Sequence, residues 1–235
     1  LAGKVRIKDA VADKPGRLVS EDCLPVILGD PQPFSSRGGF KLEHALKQFD
    51  ILPVGKTVVD VGASTGGFTD CLLQNGAEKV YAVDVGYGQL DWKLRNDPRV
   101  ICRDRKNARN LSKEDIGETL DLAVIDVSFI SLQLVIPPLL KILKPEGQLV
   151  ALVKPQFEVG KNDMEHRGVI KDPAKHIAVL LKLNRFIEEK EWSVINATES
   201  PITGQKGNRE FLIHCVDNRY GKPVEEDTLR KIVLN

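Results

Sequence analysis

The sequence predicts an α/β fold with a doubly wound, mainly parallel sheet. Three observations carry that prediction. From about residue 36, short apolar runs alternate with segments of helical periodicity. The first five runs are continuously apolar, as expected of strands covered by helices on both faces. Polar residues close these runs: Asp60, Asp84, Asp126 and Lys154 stand at or next to the carboxyl ends, where such sheets bind ligands.

Leu42, Ala45, Leu46 and Phe49 recur at helical spacing, which predicts a helix over 38–49. The run 57–61 reads as a buried strand and 67–75 as the following helix. Strands are then expected at 79–84, 99–102, 121–126 and 148–154. Pro137-Pro138 suits the start of a helix, since proline is tolerated in a first turn. A long amphipathic helix covers 173–190. The runs 192–198 and 210–216 are joined by a loop too short for a crossover helix, so they pair antiparallel. A helix over 224–234 completes the pattern. Residues 1–34 differ: short β-like runs at Lys4–Ile7 and Leu18-Val19 are broken by Lys14-Pro15-Gly16 and Gly29-Asp30-Pro31. They form one small unit and linker, and 35–235 forms the main domain.

Composition excludes several classes. Of 235 residues, 42% are hydrophobic, enough for a sizeable core. The 34 basic and 33 acidic residues nearly cancel, so bulk charge cannot hold nucleic acid, although a local basic patch can. No apolar run approaches the roughly 20 residues of a membrane helix. The first residues lack a signal peptide's apolar stretch. The chain opens on Leu rather than Met, as a piece of a longer protein would. The 4 cysteines are far apart and form no C-x-x-C pair, and the 4 histidines are dispersed. A reducing cytoplasm and no metal site are expected.

The segment Asp60-Val61-Gly62-Ala63-Ser64-Thr65-Gly66-Gly67-Phe68 lets backbone approach a ligand and turn into a helix. Asp84 ends the next strand, where a carboxylate can accept both hydroxyls of a ribose. The spacing is not G-x-G-x-x-G. An acidic Asp60 at the loop's start suits the amino group and sulfonium of S-adenosylmethionine better than a pyrophosphate. A nicotinamide nucleotide, or a glycine turn with no ligand, is the competing reading. Asp104 stands where a third-strand acid would meet the adenine amino group, or it pairs with a neighbouring arginine. Phe68 packs against the ligand or fills core. Lys41, Asp126, Lys154 and Glu210 stand at the ends of core elements. Burial lowers a lysine's pKa and nearby carboxylates raise it, so Lys154 can be tuned to accept a proton. Taken singly, each of the four is an ordinary ion-pair residue.

The stretches 62–70, Asp84-Val85-Gly86-Tyr87-Gly88-Gln89-Leu90, Asp126-Val127-Ser128-Phe129-Ile130-Ser131-Leu132 and Val153-Lys154-Pro155-Gln156-Phe157-Glu158 together resemble the TlyA family over about 36–217. These are hemolysin-like, FtsJ-related, S-adenosylmethionine-dependent ribosomal RNA 2′-O-methyltransferases. The resemblance implies a seven-stranded class I, Rossmann-like methyltransferase sheet with an antiparallel last strand. It implies a catalytic tetrad at Lys41, Asp126, Lys154 and Glu210, and cofactor contacts at Gly66, Phe68, Asp84, Asp104 and Asp126, beside Asp60, Gly62 and Ser64 of the glycine turn. Residues 1–28 resemble only the last β portion of the family's S4 RNA-binding domain. Ribosomal RNA or ribosomal subunits, and not DNA, become the expected partners. Arg37, Arg105 and Arg109 lead a basic tilt around the mouth that would contact phosphates, or is a solvated face. The polar loop 158–171 reads as a lid or RNA-contacting segment. Three other readings stay open: the same enzyme fold acting on a small molecule or protein, a membrane-active protein of the hemolysin kind, and a cofactor-binding RNA module without catalysis.

Overall fold

A computed structural model of the chain describes residues 5–7, 10–12, 18–20, 22–27, 32–160 and 168–234. It divides into two units, 1–33 and 34–235. In the first, β1 (Val5–Ile7) pairs antiparallel with both β2 (Ala10–Val11) and β3 (Val26–Ile27). Leu18 and Val19 are exposed and outside any strand, because the ladder uses Val26–Ile27 instead. The turn signals at 14–16 and 29–31 lie outside the described residues.

The second unit opens with α1 (Gly38–Gln48), followed by β4 (Thr57–Val61), α2 (Gly67–Gln74), β5 (Lys79–Val83), α3 (Trp92–Arg95) and β6 (Val100–Arg103). Then come α4 (Lys113–Ile116), β7 (Leu120–Ile125), α5 (Leu132–Leu140), β8 (Leu143–Val153), α6 (Pro155–Glu158), α7 (Pro173–Glu188), β9 (Trp192–Glu199), β10 (Phe211–Asp217) and α8 (Glu226–Leu234). The seven-stranded sheet runs β6-β5-β4-β7-β8-β10-β9. Five strands are parallel, and β10 lies antiparallel to both β8 and β9.

Side chains alternate between two cores, as strand geometry requires. Val58, Leu122, Val124, Val150, Leu152 and Leu212 join Leu42, Ala45 and Leu46 of α1 and Leu72 of α2 on one face. Val59, Ala123, Ile125, Leu149, Ala151 and Ile213 meet α5, α7 and α8 on the other.

Two expectations need correction. The Pro137-Pro138 pair lies inside α5, not at its start. The start is fixed upstream: Ser131 caps the helix by accepting from the Gln133 amide, and buried Glu158 accepts from the Leu132 amide. Strand β8 begins at Leu143, five residues before the apolar run, because Leu143 pairs with Leu120 across a register shift. Half of the lid expected over 158–171, residues 161–167, lies outside the described residues. Its two ends are built into the fold, with Glu158 and Ile170 buried.

The register decides what meets at the carboxyl edge. Val61 pairs with Ile125, so Gly62 and Asp126 emerge side by side. Phe211 pairs with Val153 in the antiparallel ladder, so Glu210 emerges beside Lys154. An antiparallel strand thereby delivers its amino end to the edge where parallel strands deliver their carboxyl ends.

Candidate active site

Lys41 lies in the first turn of α1 and pairs with Glu210 at 2.6 Å, both buried. Lys154 Nζ stands 2.6 Å from Asp126 Oδ1, but out of line for a hydrogen bond, and that buried oxygen lacks an aligned donor. The ammonium's aligned bond goes to Ser128 Oγ at 2.9 Å. Both pairs line one cavity of about 430 Å³, with Arg37, Phe68, Phe129, Gln156 and Gly204 among its other walls. The Lys41–Glu210 pair is buried and the Lys154–Asp126 pair only partly so; a buried pair is weak evidence for stability. Gly204 reaches the wall by close approach: a Cβ there would come within 2.0 Å of Glu210 Oε1.

A second cavity of about 310 Å³ adjoins the first and shares Gly62, Ser64, Asp126, Ser128 and Phe129 with it. Asp84 stands in it, held at both oxygens by the Ser64 amide (2.8 Å) and the Gly86 amide (2.7 Å). A carboxylate offers about four acceptor positions, so lone pairs remain for ligand hydroxyls. Gly62 has φ +86°, and a Cβ there would lie 2.4 Å from the Asp126 carbonyl oxygen. Only glycine lets the two strand ends close at this point.

Three residues expected at the ligand line neither cavity. Asp60 is fully buried and accepts from the Thr69 hydroxyl at 2.6 Å. Burial, with smaller contributions from Asp126 and Asp84, pushes its carboxyl up to about 7 against the pull of the Thr69 bonds. It braces the first turn of α2 beneath the glycine loop. Gly66 packs against Leu90 and Leu94, joining that loop to the segment after Asp84. Asp104 pairs with Arg95, whose hydrogen bond holds its carboxyl below the usual range, and the Gly88 amide lies 3.4 Å away. Phe68 is part of the core and also lines the larger cavity.

Around the mouth, Arg37 lines the larger cavity, and Arg105 stacks over the Tyr87 ring at 4.4 Å. Arg109 sits in a short 3-10 turn, Ala108–Asn110. Four cations between residues 95 and 106 are engaged by the protein itself: Arg95 with Asp104, Arg99 with Asp97, Lys106 with Asp115, and Arg103 with the Asp115 carbonyl.

Sequence reasoning missed Ser128, Gln156 and Gly204. The first two stand inside motifs quoted for the resemblance, so a signal was present. Gly204 had none beyond being a loop glycine. Phe129 was also unassigned; it is 86% exposed at φ +63°, an uncommon conformation for a bulky residue, and contacts Phe157.

A sheet of this order, with an acid and a glycine turn at its switch point and two lysine–carboxylate pairs beside them, has the layout of an α/β fold that binds ligands at the carboxyl ends of its strands. Residues 34–216 match the model of the FtsJ-like methyltransferase family, and the chain belongs to that family. It is 46% identical over 213 residues to the 16S/23S rRNA (cytidine-2′-O)-methyltransferase TlyA of Mycobacterium tuberculosis, covering 90% of this chain and 80% of that one. Hemolysin A of Brachyspira hyodysenteriae is 40% identical over 218 residues, 92% of this chain and 90% of its own. A solved structure from Streptococcus thermophilus, provisionally named a hemolysin, superposes with a TM-score of 0.85 at 41% identity, over 99% of this chain and 86% of that one. No helix among the described residues is long and apolar enough to cross a membrane.

Proposed function

We propose that this methyltransferase transfers a methyl group from S-adenosylmethionine to a ribose 2′-hydroxyl of ribosomal RNA. One observation carries the reading: two lysine–carboxylate pairs face a single cavity that shares a wall with the glycine-turn cavity holding Asp84.

The residues present fit the cofactor. Gly62 supplies a close backbone approach, Asp84 a fixed carboxylate for ribose hydroxyls, and Val85, Ala108 and Ile130 apolar surface for a base. When bound, S-adenosylmethionine supplies an electrophilic methyl group. The chain's own residues do the rest. Lys154, with its amine unprotonated, takes the proton of the 2′-hydroxyl as that oxygen bonds to the methyl carbon, or as the ammonium it stabilises the alkoxide; Asp126 and Ser128 hold its Nζ in place. Lys41 and Glu210 orient the hydroxyl from the facing wall. Positioning of this kind can supply roughly 7–11 kcal/mol. Exposed Phe129 offers a face on which an unstacked base can lie, and Arg37, Arg105 and Arg109 would contact phosphates.

The test is transfer of tritiated methyl from the cofactor onto isolated ribosomal subunits, with the modified nucleoside identified by mass. Lys154→Ala should abolish transfer while cofactor affinity, by calorimetry, stays near normal. A deoxy target should not be methylated. Retained turnover by Lys154→Ala would remove it as base, and methylation of the deoxy target would move the reaction to a base atom.

A further inference from the structure

Glu210 stands outside its strand, on the loop between β9 and β10, yet it is among the most enclosed charged side chains described. Something must hold that loop. The residue before it, Arg209, makes a fork onto Glu199 at the end of β9: Nε donates to Oε1 at 2.7 Å and Nη2 to Oε2 at 2.6 Å. Its third nitrogen, Nη1, donates to the Val233 carbonyl at 2.9 Å, in the last turn of α8. The guanidinium also lies over the Phe211 ring, 5.5 Å from its centre. Arg209 thus ties the strand before the loop, the strand after it and the final helix together. On its other side, Asn208 accepts from the Ile170 amide and donates to the Gly168 carbonyl.

We infer that Arg209 is a positioning residue for methyl transfer, and that α8 belongs to the active-site scaffold through it. The inference rests on the reading of Glu210 as an orienting group. Two features favour this role over simple packing. A bidentate guanidinium–carboxylate fork fixes direction as well as distance, which lysine cannot reproduce. The space around Glu210 is also narrow, since Gly204 leaves no room for a methyl group beside Oε1. A small swing of the backbone at 209 would therefore move Glu210 off Lys41 or drive it into residue 204. Leu229 and Val233 of α8 are buried, so the carbonyl that Arg209 reaches is itself anchored.

The test uses the whole chain and its RNA substrate. Arg209→Met should lower kcat between about tenfold and the about hundredfold that a misplacement of about 1 Å can cost, with cofactor affinity unchanged. Arg209→Lys should fall between. Glu199→Gln should reproduce the loss, and the double variant should lose no more than the worse single one. In single-turnover reactions on a Glu210→Gln background, Arg209→Met should add nothing, because the residue acts through Glu210. Melting temperatures identify a variant that fails by unfolding, and Arg209→Lys then carries the comparison. Unchanged kcat in Arg209→Met, or an equal further loss on the Glu210→Gln background, overturns the inference alone. Full activity of Glu210→Gln overturns the reading of Glu210 and the inference with it.

Discussion

Replacing Asp60 by Asn should make the protein more resistant to unfolding at neutral and alkaline pH. Asp60 is fully enclosed, its Oδ2 accepts from Thr69 and its Oδ1 has no partner among the described residues. Its carboxyl is pushed from 3.8 to about 7, above all by burial. A carboxyl raised in the folded state binds its proton more tightly there than in the unfolded chain. Folding therefore takes up a proton between those two values, and stability falls as pH rises through that window. At 1.36 kcal/mol per pKa unit the full window is worth ~4 kcal/mol, of which ~2 kcal/mol falls between about pH 5 and neutrality and ~3 kcal/mol between about pH 5 and pH 8. Asparagine mimics the protonated carboxyl at every pH and lacks this slope. Denaturant unfolding of both proteins from about pH 5 to pH 8 cancels the other titrating groups in the difference. The stability difference, variant minus parent, should grow in favour of the variant by ~3 kcal/mol and level off above neutrality. Parallel curves would show that Asp60 is charged throughout and would refute the argument from burial.

Gly204→Ala should cost about a hundredfold in kcat with cofactor affinity intact, because the new methyl group displaces Glu210 from 2.0 Å away. Cofactor calorimetry beside RNA kinetics checks the split. Asp84→Ala should weaken cofactor binding about 10–100-fold, the worth of hydrogen bonds to a charged group, and calorimetry that finds unchanged affinity removes it from the pocket. Phe129→Gly removes an exposed ring and a left-handed backbone that costs a bulky residue ~1–2 kcal/mol. Stability by thermal melting should hold or rise, while KM for RNA should rise about tenfold through lost base stacking. An unchanged KM leaves the ring without a part in substrate binding.

The sheet was legible because each parallel strand is a continuous apolar run ended by a polar residue. Asp126 and Lys154 announce where β7 and β8 stop more sharply than any propensity does. What the sequence concealed was set by contacts at a distance. Pro137-Pro138 reads locally as a helix start, but α5 is started by Ser131 and by a carboxylate 26 residues away in sequence, Glu158. The apolar run begins at Gln148, but ladder pairing of Leu143 with Leu120 starts β8 five residues earlier. The short helices α3, α4 and α6 are each four residues long, too short for a periodicity to register.

At the site, residue identities were legible and their partners were not. Asp60 shows why. Its place after an apolar run and before a glycine turn is equally consistent with facing a ligand and with bracing the helix that follows. The choice depends on Thr69, whose hydroxyl comes within reach only once α2 has folded back over the strand. Asp104 posed the same choice, and Arg95 on α3, an element without a sequence signal, engages it. The four tetrad candidates are spread from 41 to 210 in sequence, and spacing alone does not bring them together. Register does for three of them: Phe211 opposite Val153 sets Glu210 beside Lys154, and Ile125 beside Ala151 brings Asp126 to the same edge. The first turn of α1 then reaches Glu210 and leaves Asp126 to Lys154. Each lysine consequently has its own carboxylate, and the cavity between the pairs is polar on two sides without a net excess of charge from these four groups. An acceptor hydroxyl entering it meets donors and acceptors already fixed, which is the condition for positioning to lower a barrier.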